Sequence, residues 1–133
     1  MNIELAPNTP ICERLGIKYP ILQAGMGFVA HAELAAAISN AGGLGCIGSG
    51  SMSSHELKEQ ISRCHDLTDR PFGVDILFAE IKADKADSTV VRYSSDVPRL
   101  IDTTFEANVP VIVSGLGNPA GIIEQTFVRE RTL

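Results

Sequence analysis

The features of this sequence best suited to chemistry are glycines that follow short apolar runs. Seven of the chain's twelve glycines lie between positions 20 and 50. Gly25 and Gly27 follow an apolar pair at 21 and 22, and backbone at a glycine can approach a ligand closely because glycine has no Cβ. One interpretation is a loop of Ala24, Gly25 and Met26 that lines a ligand. The other is a tight turn at a strand end with Met26 in the core.

Two polar residues, Asp75 and Ser114, stand near the ends of two predicted strands. These strands run from Phe72 to Leu77 and from Val109 to Val113. In parallel α/β sheets, ligands bind at the carboxyl ends of the strands, so both residues are candidates for a site. The alternatives are a solvated acid for Asp75 and an ordinary turn hydroxyl for Ser114.

Two glycine motifs imitate a dinucleotide-binding fingerprint. The G-x-G-x-x-G run from Gly43 to Gly48 follows a helix and contains a strand. We reject it, because that order is the reverse of the one that the fingerprint requires. The run from Gly115 to Ala120 follows a strand and opens a helix, where backbone amides can meet an anion. A dinucleotide-binding piece therefore stays an alternative, although the fingerprint normally occupies the first strand-to-helix turn and here would occupy the fourth.

Alternating strands and helices must position these candidates. The first strand is predicted at 21–22, and a second from Leu44 to Ile47. Between them an alanine-rich helix is predicted from Ala32 to Ala41, ended by Gly42 and Gly43. Its apolar stripe for packing on a sheet is Leu34, Ile38 and Ala41. This is a βαβ unit, whose two glycine loops lie at the same, carboxyl, end of two parallel strands.

Four more helices are predicted by caps and apolar spacing. The first runs from Pro10 to Leu15 after Thr9, and the last from Asn118 and Pro119 to Gln125. Another opens with a capping box of Ser53 and Glu56 and has Leu57, Ile61 and Cys64 on one side. The remaining helix starts at Ser95 or Asp96 and has Leu100, Ile101, Thr104 and Phe105 on one side. The stretch 77–93 lacks periodicity and is predicted to be a loop or a broken helix.

Composition excludes several classes of function. The net charge is −5, which argues against nucleic acid or an anionic membrane surface as a partner. Cys12, Cys46 and Cys64 lack metal-ligand spacing, so no metal site is predicted and the thiols suit a reducing, cytoplasmic compartment. The amino-terminal residues lack the features of a signal peptide, and no uninterrupted apolar run approaches the length of a membrane span.

The order of the motifs resembles the amino-terminal half of the nitronate monooxygenase family, also called 2-nitropropane dioxygenase-like. The resemblance rests on QAGM at 23–26, ELAAAISNAGGLG at 33–45, IGSG at 47–50, PFGVD at 71–75 and VPVIVSGLGNP at 109–119. The family implies an α/β fold, a TIM (β/α)8 barrel that binds FMN. This chain is expected to form about four of its βα units, with parallel strands in the order 1-2-3-4 and Gly25, Gly48, Asp75 and Ser114 at one rim.

The resemblance also implies a chemistry, the oxidation of alkyl nitronates by FMN and O2. The backbone of Ala24, Gly25 and Met26 would line the flavin ring, and Ser114 would line the site. Asp75 stands where the family usually has an asparagine that contacts the pyrimidine edge of the flavin. No catalytic residue is assigned, because the family's histidine falls beyond Leu133. The chain's own histidines, at 31, 55 and 65, are predicted to be solvated.

The length of the chain limits the activity that we expect from it. A complete TIM barrel needs about 250 residues, and this chain has 133. We expect an amino-terminal half-barrel over 1–133, with 126–133 a non-native or frame-shifted tail. Such a half is expected to be inactive alone and to self-associate or bind a complementary half-barrel. An FMN-dependent enoyl-acyl carrier protein reductase-like fragment and a non-catalytic remnant are the alternatives.

Overall fold

The computed structural model describes residues 9–78 and 96–130, and for 127–130 the backbone alone. Five helices and three strands alternate in this part of the chain. They are α1 (Pro10–Leu15), α2 (Ala32–Ala41), β1 (Gly45–Gly48), α3 (Ser54–Leu67), β2 (Phe72–Leu77), α4 (Val97–Glu106), β3 (Val111–Leu116) and α5 (Ala120–Glu130). Most of the 77–93 stretch lies outside the described residues.

The three strands form one parallel sheet in the order β1-β2-β3. Helices connect the strands, as in the βα units of a TIM barrel. The fold class is therefore confirmed as α/β, a partial barrel. The first of the four expected strands, at 21–22, is wrong for the described residues, whose sheet has three strands. Its only sheet contact is an isolated parallel bridge between Leu22 and Leu44.

A side chain explains why the first strand stops at one bridge. The side-chain amide of Gln23 donates from Nε2 to the carbonyl of Cys46 at 2.9 Å. Its Oε1 accepts from the Cys46 N–H at 3.0 Å. Since these two bonds satisfy the edge of β1, the backbone after Gln23 need not continue the ladder. The chain instead turns toward the ends of β1 and β2.

Helix α2 packs on the sheet through a different face from the predicted stripe. Its buried residues are Ala32, Ala35, Ala36 and Ser39. Of the predicted stripe, Leu34 and Ile38 are half-buried and Ala41 is exposed. The face with small side chains packs on the sheet because the helix lies very close to β1. A Cβ on Gly45 would overlap the carbonyl of Ala35. Larger side chains on that face would hold the helix away.

The core lies between the sheet and helices α2, α3 and α4. Its fully buried members include Ile47, Phe72, Val74 and Ile76 from the strands. Helix α3 begins with the predicted capping box, in which the side chains of Ser53 and Glu56 each accept a hydrogen bond from the backbone N–H of the other residue. The predicted inward faces of α3 and α4 are confirmed, since Leu57, Ile61, Cys64, Leu100, Ile101 and Thr104 are buried.

The bounds of two elements differ from expectation at the end of the described chain. Strand β3 spans Val111–Leu116 rather than Val109 to Val113, although Val109 is buried. Helix α5 continues to Glu130, so the expected end at Gln125 is wrong. Thr126 donates its hydroxyl to the carbonyl of Ile123 at 2.7 Å. A threonine can make such a bond within a helix. Helix α5 therefore continues past Gln125, although the sequence that follows has no apolar stripe.

Candidate functional site

Asp75 lies near the carboxyl end of β2, between two glycines from other parts of the chain. A Cβ on Gly25 would overlap the side chain of Asp75. On the other side, a Cβ on Gly115 would lie 2.5 Å from Oδ1 of Asp75. Real Cβ atoms do not approach this closely, so both positions require glycine.

A third glycine completes this edge of the sheet. Gly48 ends β1 and is the register partner of Asp75. A Cβ on Gly48 would lie 2.7 Å from the backbone nitrogen of Met26. The Gly48 N–H donates to the carbonyl of Ala30 at 2.9 Å. The 24–30 segment is therefore held against the ends of β1 and β2 by close backbone contact.

Ser49 fixes the backbone of Asp75. Its N–H and its hydroxyl both donate to the carbonyl of Asp75, at 3.1 and 2.7 Å. Ser49 is fully buried, so these bonds are shielded from water. The carboxyl group of Asp75 is thus presented from a rigid strand end rather than from a mobile loop.

The carboxyl group of Asp75 is buried without full compensation. Only 8% of the residue is exposed. Within residues 9–78 and 96–130, no hydrogen-bond partner reaches Oδ1. Burial raises the pKa of Asp75 above its ordinary value, and the nearby Gly115 N–H opposes that rise. The rise has a physical cause, since a buried charge without a partner is costly.

The thiol of Cys46 lies on the neighbouring strand and stays neutral. Burial, together with the charge of Asp75, raises the pKa of Cys46 to about 12. The thiolate is the nucleophilic form of cysteine, so this thiol is not a reactive group. Cys46 serves instead as a small buried residue whose backbone pairs with Gln23.

Four of the five predicted site residues come together, and one does not. Ala24 is exposed beside Gly25, and Met26 is 40% exposed, so the alternative that placed Met26 in the core is wrong. Ser114 pairs with Ile76, whose side chain lies in the helix-side core. The register therefore directs Ser114 to the opposite face of the sheet from Asp75.

Gly115 occupies the place that was predicted for Ser114. The register between β2 and β3 shifts after Ile76, where Leu77 pairs with Leu116 and one extra residue is accommodated on β3. That extra residue, Gly115, faces Asp75. Gly115 was visible in the sequence as part of the glycine run after β3, but the register shift was not. Nothing in the sequence indicated that Gln23 would pair with Cys46 or that Ser49 would bond the carbonyl of Asp75.

The described histidines lie outside this edge. His31 precedes α2, and His55 pairs with Glu59 at 3.7 Å along α3. His65 reaches the carbonyl of Ala107 at 3.2 Å. No group of His, Cys, Asp and Glu residues within the described ranges could hold a metal ion. In the same residues, no helix is long and apolar enough to cross a membrane.

A cavity of about 560 Å³ lies on the other face of the sheet. It is bounded by β3, α4 and α5, with Phe78, Ile112, Ser114 and Ile122 in its lining. The lining includes neither Asp75 nor any of its glycine neighbours. The cavity is thus separate from the strand-end site.

The loop from β3 to α5 has the strand-loop-helix order of the dinucleotide alternative. Asn118 accepts a hydrogen bond from the Ala120 N–H at 3.0 Å through its side chain. That bond occupies one of the free amides with which a phosphate would otherwise pair. Gly115, the first glycine of the run, faces Asp75 instead of the helix start.

Comparison with known proteins decides between the dinucleotide alternative and the family resemblance. The family model described as nitronate monooxygenase matches residues 8–123. The chain belongs to the nitronate monooxygenase family. The resemblance found in the sequence is thereby confirmed. This is a family of flavin-dependent oxidoreductases.

Proteins with curated names match part of the chain. The chain is 46% identical over 80 residues to a (3aS,4S,5R,7aS)-5-hydroxy-7a-methyl-1-oxo-octahydro-1H-indene-4-carboxyl-CoA dehydrogenase of Mycobacterium tuberculosis, covering 60% of this chain and 21% of that protein. It is 46% identical over 69 residues to a protein of Staphylococcus haemolyticus named "Probable nitronate monooxygenase", covering 52% and 19%. The chain thus spans about a fifth of these relatives.

A solved structure extends the likeness over nearly the whole chain. FabK from Thermotoga maritima superposes with a TM-score of 0.79 at 36% identity, covering 92% of this chain and 35% of FabK. The described strands and helices therefore follow the same order as part of the FabK fold.

Proposed function

We propose that this chain forms the ring-binding part of an FMN site in an oxidoreductase that oxidises alkyl nitronates with O2. The observation that carries the proposal is the crowding of Gly25, Gly48 and Gly115 around the carboxyl end of β2. Cβ atoms at these positions would overlap Asp75 or Met26, so the glycines let the loop close on the strand ends, where ligands of parallel α/β sheets bind. Membership of the nitronate monooxygenase family supports this choice of ring.

The residues at this edge fit the ring of a flavin. Ala24 and Met26 are exposed, so their backbone and the polarizable Met26 side chain can meet an apolar surface. Oδ1 of Asp75 is an acceptor without a partner among the described residues, and a flavin ring offers an N–H. FMN, when bound, accepts electrons from the substrate and passes them to oxygen. The protein's part is to position the ring and exclude water.

We expect this chain alone to hold FMN weakly and not to turn over nitronate. Within residues 9–78 and 96–130, no lysine, arginine or histidine shifts the pKa of Asp75, and the chain is acidic. Charge-assisted hydrogen bonds contribute about 1.5–3 kcal/mol each. A phosphate that lacks about three of them loses about 5–9 kcal/mol, which weakens binding by on the order of a thousand-fold or more.

Titration with two flavins tests the proposal. FMN and riboflavin carry the same ring, and only FMN carries a phosphate. If the described site addresses the ring alone, the two should bind with similar, weak affinity by fluorescence quenching. Gly25→Val should abolish both, while Gly121→Val, where a Cβ would meet nothing within 4 Å, should not. Absence of binding of either flavin would contradict the proposal.

Catalysis is tested separately by oxygen uptake with propionate 3-nitronate. We expect no turnover by the chain alone, and turnover after addition of the remaining segment of a full-length family member. Micromolar FMN binding with turnover by this chain alone would overturn the expectation of weak binding.

An FMN-dependent enoyl-acyl carrier protein reductase is the second candidate. The likeness to FabK covers 92% of this chain, more than either curated match described above. The two candidates differ in electron donor and acceptor. Oxidation of NADH in the presence of an enoyl thioester, without oxygen uptake on nitronate, would favour the reductase. A non-catalytic remnant would show neither activity in the complemented protein.

A further inference from the structure

We propose that Asp75 recognises the ring as a neutral carboxylic acid, which donates one hydrogen bond and accepts another along the imide edge of a flavin. The inference rests on the proposed flavin site. It concerns one property of that site, the protonation state of its polar group, which decides how the ring is recognised.

Few described groups of the protein are placed to hydrogen-bond the carboxyl group of Asp75. Asp75 is enclosed between Gly25 and Gly115, and its backbone carbonyl is already occupied by Ser49. Oδ1 has no hydrogen-bond partner within the described ranges. A buried polar atom that lacks a partner in the protein, at the end of a rigid strand, is a candidate to meet a ligand.

In the part of the chain that the structure describes, the groups that face Asp75 do not supply a compensating positive charge. Cys46 on β1 has a neutral thiol, because burial raises its pKa. The loop contributes the backbone of Gly25, and β3 contributes the backbone of Gly115. The Gly115 N–H lowers the pKa of Asp75, but burial raises it by more. Burial, the larger of the two effects, thus shifts the pKa of Asp75 upward, toward the protonated form.

The neutral acid matches the imide edge better than the carboxylate does. That edge presents an N–H between two carbonyl oxygens. A carboxylate can only accept hydrogen bonds, so it would pair with the N–H and repel the adjacent carbonyl. A protonated carboxyl accepts from the N–H through one oxygen and donates to the carbonyl through the other. In this state Asp75 has the donor and acceptor pair of an asparagine side chain.

A pH titration tests the inference with readouts that need no turnover. The carboxyl carbon of Asp75, followed by NMR, reports its pKa in the free protein. Riboflavin affinity is then measured from about pH 5 to about pH 8.5, below the range in which a ring N–H ionises. We expect affinity to fall about tenfold per pH unit above the Asp75 pKa, since binding requires the proton.

Two variants separate the outcomes. Asp75→Asn should bind riboflavin with the low-pH affinity of the parent at every pH. Asp66→Asn, at an exposed position on α3, should keep the parent's pH dependence. If parent and Asp75→Asn both bind with the same pH-independent affinity, or if the pKa of Asp75 lies at or below its ordinary value, the inference is wrong while the flavin site stands. If neither protein binds riboflavin at any pH, the proposed site itself is overturned.

Discussion

The side-chain amide of Gln23 bonds both backbone groups of Cys46, its N–H at 3.0 Å and its carbonyl at 2.9 Å. A side chain therefore does at this position what a neighbouring strand does along the rest of the sheet. Cys46 is fully buried, so neither group could turn to water instead. The consequence is that the following loop is free to fold over the strand ends and form the candidate site.

Replacing Gln23 should destabilise the protein through this contact. Gln23→Ala leaves the Cys46 N–H and carbonyl without their partner, and an unsatisfied buried group costs about 1–3 kcal/mol. We expect the midpoint of urea unfolding to fall accordingly at fixed protein concentration, with faster hydrogen exchange at the Cys46 amide. Gln125→Ala is the matched control, because Gln125 is exposed on α5. Equal effects of the two variants would show that the amide bridge contributes nothing.

The same substitution at two glycines should have opposite effects on stability. Gly45→Ala places a Cβ against the Ala35 carbonyl of α2, and overpacking of this kind costs about 1–3 kcal/mol or more. At Gly121, within α5, a Cβ would meet nothing within 4 Å. Gly121→Ala should stabilise by up to about 1 kcal/mol, because alanine is the better helix former. Thermal unfolding of both variants checks the sign, and a stable Gly45→Ala protein would contradict the close approach.

The stability of the free protein should fall as pH rises through the titration of Asp75. Its pKa is raised above 3.8 in the folded state and is ordinary in the unfolded chain. Below 3.8 both states are protonated and Asp75 imposes no penalty. Between 3.8 and the raised value, only the unfolded state ionises, so stability is lost, and above the raised value the penalty is constant.

Asp75→Asn should therefore flatten this part of the pH profile. We expect its stability relative to the parent to improve from pH 4 to neutral pH, by on the order of 1–3 kcal/mol, the cost of an uncompensated buried polar group. Asp66→Asn provides the control for loss of an exposed charge. The measurement is the urea midpoint at several pH values. A stability difference that does not change with pH would mean that folding does not raise the pKa of Asp75.

The chain should associate with itself or with a complementary half-barrel. Strand β3 pairs with β2 on one side, and within the described residues no strand pairs with its other side. Leu116 at the end of β3 is 45% exposed. Unpaired edges and exposed apolar groups favour association. We expect light scattering to show oligomers or aggregates of the purified chain.

A pair of leucine substitutions locates that association. Leu116→Lys places a charge at the β3 edge and should reduce it. Leu67→Lys changes a leucine with 44% exposure at the end of α3 and should have little effect. A monodisperse, cooperatively unfolding parent monomer would refute the expectation.

The sequence by itself determined the elements whose causes are local. Gly16 and Gly42 end α1 and α2 in the left-handed conformation, as glycines after apolar helical runs commonly do. The capping box opens α3 at the expected serine. Strand β2 has its predicted bounds, Phe72–Leu77. Each of these features depends on neighbours a few residues away, so spacing alone was sufficient to predict it. The motif order was likewise enough to identify the family.

Only the tertiary structure decided which groups meet at the strand ends. Gln23 and Cys46 lie 23 residues apart, and nothing in their spacing indicates that one would complete the edge of the other. Helix α2 presents alanines rather than leucine to the sheet because Gly45 permits a close approach. A register shift in β3 brings Gly115 to Asp75 and leaves Ser114 on the other face. These outcomes depend on distances between strands and helices, which are set when the elements pack and are not encoded in any short stretch of sequence.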